Sequence, residues 1–250
     1  MIRGLYTSGT GMISQMKKMD VITNNLSNVN TNGFKEDTLI TRSFKEALVS
    51  RIDDPSVLHS AVEVGPLNKG VRIDMVYTRF EQGSFNETGN TTDFAISGEG
   101  FFVINTPDGE RLTRDGSFGL DSDGRIVNAS GYPVMGENGE IFVDNKNFTL
   151  NSKREIILNG EFIDRLLLVD ADGESLRKTG DNLYMNINPQ SQTDNTESNI
   201  KQGFLEGSNV DLAKSMVNII EVYRNFESNQ KVVKMIDDTL GKAVNELGKL

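Results

Sequence analysis

A long amphipathic pattern at the end of the chain most constrains how this sequence can fold. Between residues 209 and 250, apolar side chains recur in steps of three and four, interrupted by polar Gln230. That period is typical of a helix with one apolar face. A helix of this length spans about 60 Å at about 1.5 Å per residue, so we expect it to project from a compact domain. The apolar stripe consists of Leu212, Met216, Ile219, Tyr223, Phe226, Val233, Ile236, Leu240, Val244 and Leu247.

The start of this helix is indicated by short polar residues. Ser208 and Asn209 belong to the residue types that cap helix N-termini, because their side chains accept backbone hydrogen bonds. Asp211 follows, and we place it in the first turn, where the helix dipole favours a negative charge.

The N-terminal stretch has a weaker version of the same pattern. Met12, Met16, Met19 and Leu26 are spaced by three, four or seven residues, although three glycines loosen the start of this helix. A heptad-like stripe at each end of one chain predicts that the two ends meet in a coiled-coil-like unit. The alternative is that both are surface helices that pack on the central core.

The middle of the chain has the pattern of an antiparallel β domain. Short apolar runs (FFVIN, IFVDN, REIIL and RLLLVD) lie between aspartate-glycine or asparagine-glycine pairs, which supply the positive φ angles of tight hairpin turns. The six pairs are Asp108-Gly109, Asp115-Gly116, Asp123-Gly124, Asn138-Gly139, Asn159-Gly160 and Asp172-Gly173.

These segments predict an α+β protein whose long N- and C-terminal helices form a coiled-coil-like unit around a central, mainly antiparallel β domain. Residues 1–35 and 205–250 form a discontinuous helical assembly domain in this prediction, and residues 85–204 form the β domain. Residues 36–84 contain Pro55, Pro66 and the alternating run GVRIDMVYTRF, so we interpret them as an extended connector with one possible hairpin.

Composition excludes several classes of function. A formal charge of −10 and a pI near 4.7 argue against nucleic-acid binding, which needs clustered basic residues. The chain has no cysteine and a single histidine, His59, so it cannot build the usual zinc site. We interpret His59 as a solvated loop residue, and we expect no metal and no cofactor.

Other motifs are incomplete. GLYTSGTG has phosphate-loop glycine spacing, but Thr10 stands where the essential lysine should be. DSDGRIVNASGY begins like a calcium loop at Asp121, yet Tyr132 occupies the position of the bidentate glutamate, so a hairpin turn is the better interpretation. No run of 18 apolar residues occurs, and the N-terminus lacks a signal-peptide core. We expect a soluble protein that does not insert into membranes.

Three motifs in the same order resemble those of the axial proteins of the bacterial flagellum, which form its rod, hook and hook–filament junction. The first is NNLSNVNTNGFK, residues 24–35. The second is TGNTTDFAISGEGFFVI with LTRDGSFGLDSDGRIVNASGYPV, and the third runs from QGFLEGSNVDL to KMIDDTL, residues 202–240. The length and single β domain resemble a basal-body rod protein, proximal or distal, rather than a hook subunit.

The resemblance implies a structural protein without catalytic residues. Members of this family are exported by the flagellar type III apparatus without a cleaved signal. They then polymerise outside the cytoplasm, with both termini lining a hollow, torque-transmitting tube in the basal body. The implied partners are further copies of the chain in a helical homo-oligomer, other rod or hook proteins, and the export apparatus.

The resemblance also assigns roles to residues. The amides between Asn24 and Asn32 end the first helix and satisfy backbone groups of neighbouring subunits, Gly33 turns the chain away, and Phe34 anchors it in an apolar seam. The assembly and export motif is Asn24, Asn25, Leu26, Asn28, Asn30, Thr31, Gly33 and Phe34. The N-terminal helix seam is Met12, Met16, Met19 and Leu26, and the C-terminal helix seam is Leu212, Met216, Ile219, Tyr223, Phe226, Val233, Ile236 and Leu240.

A second hypothesis is a ligand-binding protein or enzyme whose β domain is carried on a helical oligomerisation stalk. It requires convergent polar groups in a concave pocket within residues 85–204. No motif in the sequence argues for such a site.

Overall fold

The computed structural model describes residues 2–51, 62–143, 148–151, 153–194 and 198–247. Helix α1 spans Ile2–Ser27 and helix α2 spans Leu212–Leu247. The chain divides into two compact units. The helical unit contains Met1–Asn25, Asp37–Tyr77 and Leu212–Leu250, and the β unit contains Leu26–Glu36 and Thr78–Asp211. The α+β class with terminal helices and a central antiparallel β domain is confirmed.

The two helices of the helical unit approach each other at glycines of α1. A Cβ placed on Gly4 would lie 3.2 Å from Ile236 Cδ1, and one placed on Gly11 would lie 3.1 Å from Asn229 Nδ2. The residue number in α2 falls as that in α1 rises, so the helices run in opposite directions. The absence of a side chain at these positions lets the helix backbones come close.

The covered faces of both helices follow a heptad period. One series of buried or half-buried side chains recurs in steps of four and three along each helix, the spacing that the predicted coiled-coil-like pairing needs, and that pairing stays a prediction. In α1 they are Ser8, Met12, Gln15, Met19, Ile22 and Leu26. In α2 they are Ser215, Ile219, Val222, Phe226, Asn229, Val233, Ile236 and Leu240.

Two glycine substitutions in α1 test this close approach. We expect Gly9→Ala to stabilise the helical unit by about 0.5–1 kcal/mol, because it relieves the helix cost of glycine and its Cβ meets nothing within 4 Å. Gly11→Ala gains the same propensity, but Asn229 must move, so we expect a smaller gain or a loss. Thermal unfolding followed by helical circular dichroism measures both. Equal stabilisation by the two variants would contradict close helix packing at Gly11.

The rest of the helical unit consists of two two-stranded sheets. Strand β1 (Asp37–Ser43) pairs with β4 (Val71–Thr78), and β2 (Ala47–Arg51) pairs antiparallel with β3 (Val62–Leu67). The predicted connector therefore contains more strand than one hairpin. His59 and Pro55 lie outside the described residues.

The β unit is built around a six-stranded sheet with strand order β17-β18-β8-β7-β16-β19. A three-stranded sheet, β13-β14-β15, and four two-stranded pairs, β20-β6, β21-β5, β10-β9 and β11-β12, complete it. The strands are β5 (Phe85–Glu87), β6 (Phe94–Ser97), β7 (Phe101–Thr106), β8 (Gly109–Thr113), β9 (Gly119–Leu120), β10 (Ile126–Val127), β11 (Met135–Gly136), β12 (Gly139–Glu140), β13 (Phe148–Leu150), β14 (Glu155–Leu158), β15 (Glu161–Arg165), β16 (Leu168–Asp170), β17 (Leu176–Gly180), β18 (Leu183–Asn186), β19 (Thr193–Asp194), β20 (Asn199–Gln202) and β21 (Phe204–Glu206). Short 3-10 helices occupy Gly173–Ser175 and Pro189–Ser191.

Two apolar clusters fill this unit. The larger is centred on Phe94, Phe102 and Phe148, and all its buried members lie between residues 94 and 200. The smaller contains Phe101 and Tyr184, with Phe80 packed against them edge-on. Half-buried and buried positions alternate along β14, because successive side chains of a strand point to opposite faces and one face lies on this core.

Four of the six predicted hairpin turns are confirmed. The pairs at residues 108–109, 123–124, 138–139 and 159–160 each join consecutive antiparallel strands, and each glycine has a positive φ. The prediction is wrong for the other two. Gly116 lacks a side chain because a Cβ there would collide with the carbonyl oxygen of Phe94, and Gly173 begins a 3-10 helix capped by Asp172.

Leu26–Glu36 pack with the β unit in the single chain, although the prediction groups them with the terminal helices. The assignment of residues 1–35 and 205–250 to one assembly domain stays a prediction. The predicted connector, in turn, packs largely with the terminal helices. Neither α1 nor α2 is long and apolar enough to cross a membrane, within the described residues.

Candidate functional site

The signature segment after α1 folds back through a series of turns. The backbone NH of Val29 donates to Leu26 O, that of Thr31 to Asn28 O, and that of Phe34 to Thr31 O. The hydroxyl of Thr31 also donates to Asn28 Oδ1 at 3.2 Å. The bond to Leu26 O satisfies one carbonyl group left open at the helix end, and the others form turns beyond it, where short polar side chains are common.

Asn25 closes the end of the helix against its own chain. Its Nδ2 donates to the carbonyl oxygen of Asp37 at 2.7 Å, and its Oδ1 accepts the NH of Asp37 at 3.0 Å. Both bonds lie within the helical unit and within one molecule. The assignment of the remaining amides to neighbouring subunits stays a prediction. Asn25 is buried, Leu26, Asn28 and Thr31 are half-buried, and Asn24 and Asn30 are exposed.

Residues 32–36, which we call the strap, then bind across the β unit. Asn182 Nδ2 donates to the carbonyl oxygen of Asn32 at 2.6 Å, and the NH of Gly33 donates to the carbonyl oxygen of Glu206 at 2.7 Å. Gly33 has a φ of 65°, and a Cβ there would collide with the backbone of Arg114. The chain turns at Gly33, and this position has no room for any side chain.

Phe34 is buried beneath a cation. Only 6% of it is exposed, and Lys178 Nζ lies 4.2 Å from the centre of its ring. The same ammonium group donates to the carbonyl oxygen of Lys35 at 2.7 Å. A cation over an aromatic face stabilises the pair most when water is excluded. Lys178 therefore holds both the side chain and the backbone of the strap.

The part of the β unit that binds the strap, which we call the seat, consists of Glu81, Gly83, Arg114, Lys178, Asn182, Glu206 and Asn209. A buried ionic network lies at its centre. Lys35 Nζ, fully buried, donates to Glu206 Oε1 at 2.6 Å and to the carbonyl oxygen of Glu81 at 2.8 Å. Arg114 Nη1 donates to Glu206 Oε2 at 3.2 Å, and the NH of Gly83 donates to Oε1 at 2.9 Å. One carboxylate thus receives two cations and a backbone donor.

Burial shifts the pKa values of both cations in this network. It lowers the pKa of Lys35 and that of Arg114, because removal from water disfavours their charged forms. The carboxylate of Glu206 raises both values back in part. Arg114 Nε has no hydrogen-bond partner among the described residues, so the network holds more donors than acceptors.

Asn209 fastens the end of the strap instead of capping α2. Its Oδ1 accepts the NH of Glu36 at 2.7 Å, and its Nδ2 donates to the carbonyl oxygens of Arg79 and Glu81 at 2.8 and 3.1 Å. The predicted start of the helix is therefore wrong. Helix α2 begins at Leu212, and Asp211 immediately precedes its first turn rather than lying within it.

None of Lys35, Arg114, Glu206 and Asn209 is among the predicted site residues. The available signal was a charged residue inside each of three motifs that are otherwise apolar or turn-forming: GFK, LTRDG and FLEG. Charges at such positions are rarely fully buried unless they are paired.

Some of the predicted helix-seam residues are covered in the single chain, and others face outward. Half-buried side chains from the prediction are Met12, Met19, Leu26, Ile219, Phe226, Val233, Ile236 and Leu240. Met16, Leu212, Met216 and Tyr223 are 45–57% exposed in the single chain. The covered faces also contain residues absent from the prediction, namely Ser8, Gln15, Ile22, Ser215, Val222 and Asn229.

The loop that resembled a calcium site binds its own arginine. Arg125 Nε donates to Asp121 Oδ2 at 2.8 Å, and the backbone NH groups of Asp123 and Arg125 donate to Asp121 Oδ1. The guanidinium group supplies the positive charge in this turn. Among the described residues, no group of three or more acidic or histidine side chains is arranged to hold a metal ion.

The folded signature and the paired terminal helices define an axial structural subunit, and comparison with known proteins identifies the family. Residues 5–35 match the family described as flagella basal body rod protein, residues 95–163 match the flagellar hook protein FlgE/F/G D1 domain, and residues 201–246 match the flagellar basal body rod FlgEFG protein C-terminal.

Similar proteins extend over the full chain. The flagellar hook-basal body complex protein FlhO of Bacillus subtilis is 33% identical over 100% of both chains. The flagellar basal-body rod protein FlgF of Caulobacter vibrioides is also 33% identical over 100% of both chains. FlgG of Buchnera aphidicola subsp. Schizaphis graminum is 35% identical over 97% of this chain and 98% of its own. The chain belongs to the flagellar basal-body rod protein family, whose members are structural proteins and not enzymes.

Proposed function

We propose that this chain polymerises through its terminal helices, with further copies of itself and with other rod or hook proteins, into a hollow axle that transmits torque. The observation that carries the proposal is the set of large apolar side chains on the outward faces of both helices. In α1 they include Ile13 and Met16, 62% and 56% exposed. In α2 they include Ile220 and Tyr223, 55% and 57% exposed.

The spacing of these outward residues supports a continuous contact surface. Leu212, Met216, Ile220 and Tyr223 follow one another by four, four and three positions, so they lie along one side of α2. A helix that is apolar on two sides usually packs against more than one neighbour. Heterologous contacts that do not close into a ring propagate as a helical filament.

The covered faces of the two helices also support assembly, because they are only partly apolar. Ser8, Gln15, Ser215 and Asn229 place polar or small side chains in the covered stripe, and Gln15 Oε1 is buried without a hydrogen-bond partner in the described chain. These four positions contribute little hydrophobic free energy to the seam within one molecule. We propose that the helices form a coiled coil whose ordering is completed by lateral packing in the assembly.

The remaining parts of the proposal rest on family membership. The subunit is exported by the flagellar type III apparatus and resides in the basal body outside the cytoplasm. Residues 1–35 and 205–250 act as its assembly domain. FlhO, FlgF and FlgG are themselves named as hook-basal body or basal-body rod proteins, which supports this location.

Amide hydrogen exchange tests the assembly mechanism. In the dilute monomer, we expect protection to be concentrated in residues 85–204 and weak in both terminal helices. After assembly is induced by concentration, protection should spread through α1 and α2, because neighbouring subunits cover their outward faces. Strong protection of both helices already in the dilute monomer would mean that they form a finished bundle, which contradicts the proposal.

A further inference from the structure

The seat of the strap is charge-balanced without the strap. When Lys35 is removed from the network, Glu206 and Arg114 remain as a pair of opposite charges 3.2 Å apart, with side chains 1% and 4% exposed. When Lys35 docks, two cations share one carboxylate. The undocked β unit therefore retains a compensated ion pair instead of a lone buried charge, which would be far less favourable.

The strap is held in the β unit mainly by hydrogen bonds and ionic contacts. They reach Arg79, Glu81, Lys178, Asn182, Glu206 and Asn209, and the backbone of Arg114 lies directly against Gly33. The larger apolar cluster takes all its buried members from residues 94–200, so its packing does not include Phe34. The hydrophobic free energy of this core is thus available before the strap binds.

We propose that the strap is a separable latch: the β unit folds around its own apolar core, and residues 32–36 dock onto it in a distinct step that closes the seat. The unit then has two native arrangements, strap docked and strap released. When another molecule holds the N-terminal segment in an extended conformation, the β unit stays folded and Glu206 is no longer covered by the strap.

The latch is tested in the dilute, full-length monomer, so the result does not depend on assembly or export. Gly33→Ala blocks docking, because its Cβ collides with the backbone of Arg114. Gly160→Ala is the matched control, since Gly160 also has a positive φ but open space around it. Hydrogen exchange is read at two amides that the docked arrangement protects, Gly83 in the seat and Glu36 in the strap, and at the remote strand β14.

We expect Gly33→Ala to accelerate exchange at the seat by about tenfold or more, with less than about a twofold change in β14. Gly160→Ala should leave the Gly83 and Glu36 amides near their wild-type rates. Equal rates at the seat in both variants would overturn the proposal. Acceleration in β14 equal to that at the seat would also overturn it, because strap and core would then unfold as one cooperative unit.

A second variant covers the case in which Gly33→Ala does not fold. Lys178→Met removes the ammonium group above Phe34 and its hydrogen bond to Lys35 O, and keeps an apolar side chain of similar length. Lys153→Met, at an exposed turn, is its control. Faster exchange at the seat in Lys178→Met alone supports the latch, whereas identical exchange in the two methionine variants contradicts it.

Discussion

Replacing Glu206 with glutamine is expected to lower the unfolding free energy of the β unit by about 3–5 kcal/mol. The substitution preserves shape and leaves an oxygen that can accept from Gly83, but it removes the carboxylate that, among the described residues, contacts both Lys35 and Arg114. Both cations then stay buried after losing their directly hydrogen-bonded counter-charge, which is the costly case for buried ions. Urea unfolding of the dilute monomer, followed by a β-unit probe, measures the change.

Glu87→Gln provides the matched control. Glu87 lies on β5, which pairs with the strand that carries Glu206, but its side chain is exposed. We expect its effect to remain within about 0.5 kcal/mol, as for most surface substitutions. The double variant Glu206→Gln with Lys35→Met should lose less stability than the sum of the two single losses, because it removes the ion partners together. A Glu206→Gln protein as stable as the Glu87→Gln protein would show that the network contributes nothing through charge.

The second large effect is expected in assembly. Ile220→Asp should raise the critical concentration for polymerisation by about ten- to hundredfold, since burying one isoleucine is worth about 1.5–3 kcal/mol and the new carboxylate opposes burial. Ile220 is 55% exposed in the single chain, so the monomer should unfold at nearly its wild-type denaturant concentration. Sedimentation over a concentration series measures the assembly, and swimming of cells that carry the variant measures its consequence.

Ser228→Asp separates apolar packing from charge. It adds the same negative charge to the same helix at an exposed polar position. We expect its critical concentration to change by less than about threefold, because screened surface charges interact weakly. The proposal that the outward stripe is an assembly surface fails if the two aspartate variants assemble equally well.

Features set by local chemistry could be predicted from the sequence. The three-and-four spacing identified both terminal helices, and Asx-Gly pairs located four hairpins, because a turn with positive φ is decided by two adjacent residues. The hairpin prediction at Asp115-Gly116 is wrong for a physical reason. Glycine is needed there for the close approach of Phe94, a residue distant in sequence. A glycine that follows Asp or Asn can thus reflect either a hairpin turn or the close approach of a distant backbone, and the sequence does not distinguish the two.

The candidate site was only partly predictable, because its partners are far apart in the chain. The signature residues were identified, but Lys35 pairs with Glu206, and Arg114 lies 92 positions from the same carboxylate. No local pattern reports such a pairing. The helix faces show a related limit: an apolar pattern selects large side chains such as Met16, whereas close helix approach uses Ser8 and Gly11, which hydrophobicity does not distinguish.

The buried ionic network can form only after synthesis has reached Glu206, because its members lie far apart in the chain. Lys35 and Glu206 are separated by 171 residues, so a chain that ends prematurely before the last β strand carries the strap without its anion. Such a fragment exposes the lysine and the aromatic ring that follow α1, as an unstructured stretch open to proteolysis. The salt link between Lys35 and Glu206 therefore forms only in chains whose synthesis has passed the last β strand.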